Sequence, residues 1–251
     1  MNQKIIVGKY SNHDTSYCVL NNGKPIIHAE LERYNRKKSA IGNGIEFIKN
    51  TYSDFRNINF LVTTFDDMVQ KYENYELNNE FSDITEKNNG AYLFIGHHQA
   101  HAANAFFSSN FSNSIIITLD GGGYDHSDPN AIIRYEKNMK FSNGLIKNDI
   151  IIIKENNTEE IIKLINTTQT IWYGENNKIS RKDIQQSRVC NIGTVWDEIT
   201  TKVYGLSGCY GPKGSQAGTV MAMGSVGNPN KYINYIRPHN MRNIFKDKTI
   251  L

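Results

Sequence analysis

Short apolar runs separated by polar turns open the chain. Lys4-Ile5-Ile6-Val7-Gly8 reads as a first strand, Ser16–Leu20 as a second and Lys24–Glu30 as a third. Asn21-Asn22-Gly23 between the last two is a hairpin signal, because Asn and Gly tolerate the positive φ of a tight turn. Three strands in succession predict an antiparallel meander. The period then changes: Ile45, Phe47, Ile48 and Tyr52 fall at helical spacing over Gly42–Tyr52. Ile58–Thr63 predicts a buried strand. Asp66–Asn89 is polar and irregular, helical in part. Leu93–Gly96 predicts a short strand that delivers His97, and Gln99–Ser109 an Ala-rich helix. Ser114–Leu119 is a continuous apolar strand, with further strands at Ala131–Glu136 and Asp149–Glu155. Asn191–Leu206 predicts a helix with Ile192, Val195, Trp196, Ile199, Val203 and Leu206 near one face. Within the Gly-rich stretch Gly211–Gly227, Ala217–Met223 predicts the start of a buried helix.

A meander followed by helix, strand, helix and strand is the order of a ribonuclease-H-like half. The predicted fold class is therefore α/β, a mixed sheet with a three-strand antiparallel meander plus helices. Two such halves make the actin-like ATPase architecture, in which the turn after the first strand and a later strand end approach a nucleotide's phosphates. That fold hosts many activities, so function has to be argued from the site.

Composition narrows the picture only a little. The 251 residues carry 28 Lys and Arg against 25 Asp and Glu, a net charge of +3 with no long basic run, which argues against nucleic acid as partner. Cys18, Cys190 and Cys209 are odd in number and lack metal spacing, so they read as reduced thiols of a cytoplasmic protein. No signal peptide is expected at the start, and no apolar stretch approaches membrane length.

The candidate chemistry concentrates in Ile95–Gly123, which holds three of the seven histidines within five residues. His97 and His101 are one helical turn apart, about 40° of rotation, so both imidazoles reach one ion. His98 and His101 also converge at a spacing of three. Such a pair on an Ala-rich helix is otherwise a set of capping or core histidines. Asp120 points to a metal instead, because it sits at the end of Ser114–Leu119, where a parallel strand presents groups to a crevice. Two His and an Asp with an open position suit Fe(II) or Zn(II), and the ligands alone do not choose. Gly121, Gly122 and Gly123 read either as a tight turn or as backbone amides turned toward phosphate oxygens. Ser11, Asn12, His13 and Asp14 follow the first strand, where the actin-like fold has its first phosphate loop. His13 is a candidate acid or base near neutral pH, against a plain turn in which Asn12 and Asp14 bond their own backbone. Arg36 and Lys37, in a charged cluster that usually marks a solvated helix start, are candidates to hold an anion beside such a crevice.

Taken together these blocks resemble the O-carbamoyltransferase family, the group of nodulation protein U and the antibiotic carbamoyltransferases. The opening resembles its His-Asp-Ser/Thr-Ser pattern at His13-Asp14-Thr15-Ser16, then Gly23, then Glu-Glu-Arg-x-x-Arg-x-Lys over Glu30–Lys37. The middle resembles His-His-x-x-His-Ala-x-x-Ala-Phe over His97–Phe106, followed by the apolar strand and Asp-Gly-x-Gly. Ile192–Thr200 and Gly218-Thr219-Val220-Met221 resemble two further blocks. The resemblance implies an actin-like domain in which carbamoyl phosphate and ATP give a carbamoyl-adenylate, whose carbamoyl group moves to an acceptor hydroxyl. It implies iron, Fe(II) or another divalent metal, on His97, His101 and Asp120, with His13 near the adenylate.

Tyr124 stands where the family has Glu, Thr219 where it has Lys, and Ala222-Met223-Gly224 where it has Gly-Leu-Ala. Family members are roughly double this length. Residues 1–251 are therefore expected to be the N-terminal part of the domain, without the second half and the part that activates carbamoyl phosphate. The expectation is a split or truncated enzyme that forms a homo-oligomer or takes a partner chain supplying the rest. A non-catalytic nucleotide- or protein-binding module of the same fold is the alternative. A transfer-RNA modification component is a third reading, disfavoured by the His-His-x-x-His and Glu-Leu-Glu-Arg forms. The acceptor, a small hydroxyl compound, is left open.

Overall fold

The computed structural model describes residues 4–11, 13–70, 84, 90–135, 140–143, 149–153, 159–185, 192–208 and 216–228. The chain forms two compact units, Met1–Thr118 with Gly122–Gln186, and Ser187–Leu251 with the short stretch Leu119–Gly121.

The first unit begins with the expected meander. Strands β1 (Ile5–Tyr10), β2 (Ser16–Asn21) and β3 (Lys24–Glu30) pair antiparallel, and Asn22 and Gly23 turn the hairpin at φ 49° and 80°. Alternate residues of β1 point inward, which buries Ile5 and Val7. Helix α1 (Leu31–Asn35) is a single turn that ends at Arg36 in the left-handed conformation. Helix α2 (Gly44–Thr51) starts where Asn43 accepts the Glu46 N–H at 3.0 Å, and it buries Ile45, Phe47 and Ile48. Strands β4 (Phe60–Thr64) and β5 (Ala91–Ile95) then add in parallel beside β1. With β7 (Ile133–Arg134) on the far edge, the six-stranded sheet has the order β3-β2-β1-β4-β5-β7. Helix α3 (Phe65–Gln70) follows β4 directly. The core lies on this sheet and joins Val7, Val19, Ile48, Leu61, Tyr92 and Phe94, all shielded from solvent.

Helix α4 (His97–Phe107) leaves β5 and leads to β6 (Asn113–His126). It packs Ala102 and Phe106 on Ile116 and Trp172, where Gly174 makes room for the Phe106 ring. Each such large side chain, fully buried, contributes ~1.5–3 kcal/mol. Strand β6 pairs with β10 (Glu159–Glu175) in a second sheet ordered β11-β10-β9-β8, where β8 is Lys140–Asn143, β9 Asp149–Ile153 and β11 Lys178–Gln185.

Several elements differ from expectation. Strand β6 does not end at Leu119; it continues through the glycines to His126. The β10–β11 hairpin was not anticipated, because its interior is partly threonine. Thr167, Thr168 and Thr170 are buried, and the Thr170 hydroxyl bonds that of Thr118 at 2.5 Å and accepts the Trp172 indole N–H at 2.6 Å. A satisfied hydroxyl can be core, but it leaves no apolar alternation to read. In the second unit, α5 (Ile192–Glu198) runs into a π-helical turn, Ile199–Val203, and α6 (Ala217–Ser225) follows. Helix α6 is only partly covered: Val220 is buried, whereas Met221 and Met223 are exposed, so the expected buried helix is found as a half-exposed one. Cys18 is a free thiol, raised by burial; Cys190 and Cys209 lie outside the described residues. Among the described residues no helix is long and apolar enough to cross a membrane.

Beneath the opening loop, Lys9 Nζ meets Asp67 Oδ2 at 2.7 Å and the Ser11 hydroxyl at 2.9 Å, with both charged side chains shut off from solvent. Thr63 donates its hydroxyl to the same carboxylate oxygen at 2.7 Å. Removing one partner strands a buried charge. Lys9→Met should lower unfolding free energy by ~3–5 kcal/mol in urea titration, and Lys9→Met/Asp67→Leu should recover much of that loss.

Candidate metal centre

The site starts with the way α4 begins. Its N-cap is Gly96, in an extended conformation. The Gly96 N–H donates to Gln99 Oε1 at 3.1 Å, and the His98 N–H donates to Asp125 Oδ1 at 3.0 Å. These bonds start the helix two residues earlier than Gln99, so His97 is its first residue rather than the end of a strand.

His97 is buried, and its Nδ1 lies 2.7 Å from Asp66 Oδ2. The other Asp66 oxygen accepts the Tyr124 N–H at 3.3 Å, so the carboxylate is held from two sides. An ionised carboxylate only accepts, which puts the imidazole proton on Nδ1 and leaves Nε2 as a lone pair. One turn on, His101 Nε2 stands 3.1 Å from that lone pair. Asp120 completes the group: one ligand atom from each of His97, His101 and Asp120 lies within 4.8 Å of the others. Nitrogen ligands ~2.0–2.1 Å from one ion stand roughly 3.0–3.4 Å apart, so the spacing of the two imidazoles fits a shared cation. A carboxylate behind a ligating imidazole is the usual support for such an ion, because it sets the tautomer and the ring plane.

The glycines serve this arrangement through space rather than through a turn. Gly121, Gly122 and Gly123 extend β6, and a Cβ on Gly123 would overlap the Cβ and ring carbons of His97. Gly122 faces the Asn166 amide, and the Gly121 N–H donates to Asp120 Oδ1 at 2.6 Å. In the second unit, Gly193 at the start of α5 lies against the Gly121 backbone with no room for a side chain.

The other sequence candidates are placed as follows. His13 is half-exposed, with Nδ1 2.8 Å from Asp14 Oδ2 and Nε2 3.3 Å from the Tyr10 hydroxyl. Asp14 takes a left-handed backbone at φ 59°, Ser11 is buried on Lys9, and Asn12 lies outside the described residues. The loop is tied down by Thr15, whose N–H donates to Ala40 O at 2.9 Å. Arg36 and Lys37 stand exposed past the end of α1. His98 does not join the cluster; its Nδ1 is 2.7 Å from Asp125 Oδ2. Sequence reasoning missed Asp66 and Asp125. Asp66 carried a usable signal, since it follows a strand end as Asp120 was thought to do; Asp125 carried none, because it lies past the glycines expected to end the strand.

Comparison with protein-family models gives no match, and no curated protein matches the chain. The coordinates define a mixed α/β protein with a His–His–Asp group of metal-ligand type.

Losing a carboxylate behind a ligating His typically weakens metal binding 10–100-fold. Asp66→Ala should weaken Co(II) affinity by about that factor in an absorbance titration. Gly123→Ala, which pushes on the His97 ring, should also weaken it, whereas Gly8→Ala, where a Cβ meets open space, should not.

Proposed function

We propose that the chain carries the metal centre of an ATP-dependent carbamoyltransferase built on a ribonuclease-H-like, actin-type fold. The observation that carries the reading is the convergence of His97, His101 and Asp120, the three residues that the family resemblance implies as ligands. The fold part is supported by the strand order β3-β2-β1-β4-β5, with β2 antiparallel and β1, β4 and β5 parallel.

Carbamoyl phosphate and ATP are the co-substrates, and an acceptor hydroxyl receives the group. In the transfer step the acceptor oxygen bonds the carbamoyl carbon, the bond from that carbon to the adenylate phosphate oxygen breaks, and AMP leaves with the electron pair. His13, oriented by Asp14 and Tyr10, would take the hydroxyl proton. His97, His101 and Asp120 would hold Fe(II) or another divalent ion. A bound ion of this kind supplies Lewis-acid polarisation and offsets phosphate charge. Asp66 keeps the His97 lone pair directed at the ion's place, and Gly123, lacking a side chain, makes room for the His97 ring.

One observation favours a second reading, a binding module of the same fold without catalysis. Tyr124, in place of the family Glu, packs on the core of the first unit. The two readings part on one pair of measurements. Purified protein should retain about one divalent metal per chain by elemental analysis, as a three-ligand site implies, and lose it in His97→Ala/His101→Ala. Carbamoyl phosphate- and ATP-dependent release of AMP with hydroxyl acceptors should fall at least 100-fold in that variant and in His13→Ala, as loss of a general base predicts. Metal retained without transfer, in an assay supplemented with the partner chain that supplies the rest of the domain, would favour the binding module. Metal content unchanged in the double variant would remove the ligand assignment and the enzyme with it.

A further inference from the structure

Helix α4 begins without a capping side chain of its own, since its N-cap is Gly96. The first N–H groups of a helix need acceptors, and a side-chain oxygen at the N-cap ordinarily supplies one. Here that oxygen comes from β6. Asp125 Oδ1 accepts the His98 N–H at 3.0 Å, and Asp125 Oδ2 accepts from His98 Nδ1 at 2.7 Å. The two side chains are 0% and 1% exposed. The fit has no slack, because a Cβ on Gly96 would overlap Asp125 Oδ1.

Among the described residues, His98 Nε2 is buried without a hydrogen-bond partner. A side chain whose only task was to fill the core would be better as an apolar ring, which leaves no bare nitrogen desolvated. What the pair supplies is orientation. One carboxylate grips two donors in the first turn of α4, and so sets the angle of the helix against the strand. That helix presents His97 and His101, and that strand carries Asp120.

We propose that Asp125 is a positioning residue of the metal centre. It replaces the cap that Gly96 lacks and, through His98, fixes how α4 meets β6. The inference rests on the metal reading above and assigns His98, a candidate ligand by spacing, to the clamp that holds the ligands.

The test is titration of the full chain with Co(II), whose visible d–d bands report coordination geometry as well as affinity. The proteins are wild type, Asp125→Ala, Asp125→Asn, Asp125→Ala/Gly96→Ser and, as the ligand-loss control, His97→Ala, all measured below their melting temperatures. Asp125→Ala should bind Co(II) about 10–100-fold more weakly, the usual loss for an outer-shell partner, with shifted d–d bands. Gly96→Ser, whose Cβ then meets the Gln99 Cβ at 3.2 Å in place of the Asp125 carboxylate, supplies a cap in place and should recover part of the affinity. Asp125→Asn keeps one acceptor oxygen and should fall between, which preserves the test if Asp125→Ala does not fold. Wild-type affinity and unchanged bands in both Asp125 variants, whatever their stability, would overturn the proposal. Absence of Co(II) binding in wild type, matching His97→Ala, would instead remove the metal reading from which it starts.

Discussion

At Gly123 the backbone of β6 runs against the His97 imidazole with no space for a methyl group. That contact is the constraint from which the centre follows. It brings the first turn of α4 onto the strand, lets Asp66 reach His97 Nδ1 from α3, and leaves the opposite ring nitrogen facing His101. Close packing is unforgiving at this scale, since interiors are as dense as organic crystals and a single added carbon has to displace something. Gly96 plays the same part on the other side of the helix start, against Asp125.

Three buried carboxylates each hold one basic side chain: Asp66 holds His97, Asp67 holds Lys9, and Asp125 holds His98. Buried pairs of this kind are poor sources of stability, because desolvation offsets most of the attraction. They are good at removing rotational freedom from a ring or an ammonium group, since any rotation leaves a charge unsatisfied. Asp66 and Asp67 are consecutive, in the first turn of a helix that leaves β4 at its carboxyl end. One turn thus braces two polar groups, a lysine inside β1 and the first histidine of the cluster.

Much of the first sheet was legible without coordinates. The Asn-Gly turn, the apolar run of β1 and the helical spacing of Ile45, Phe47 and Ile48 each rest on neighbours within a few residues, and each was found where expected. The interval between His97 and His101 was legible for the same reason. The β10–β11 hairpin was hidden, because Thr167, Thr168 and Thr170 are buried without apolar character, Thr170 bonded to Thr118 of β6 and Thr167 to the Ile165 carbonyl. The continuation of β6 was hidden too, since a run of glycines reads locally as a turn and becomes a strand only when another chain segment lies alongside it.

Local order of residues by itself determined the meander, the one-turn spacing of two imidazoles and the placing of an aspartate directly after an apolar run. Only the tertiary structure decided that the aspartate meets those imidazoles, that His98 turns away to Asp125, and that Asp66 stands behind His97. The partners are separated by 27 and 31 positions along the chain. No periodicity or turn signal spans such distances; helix and strand have to be packed before two side chains learn which neighbour they share.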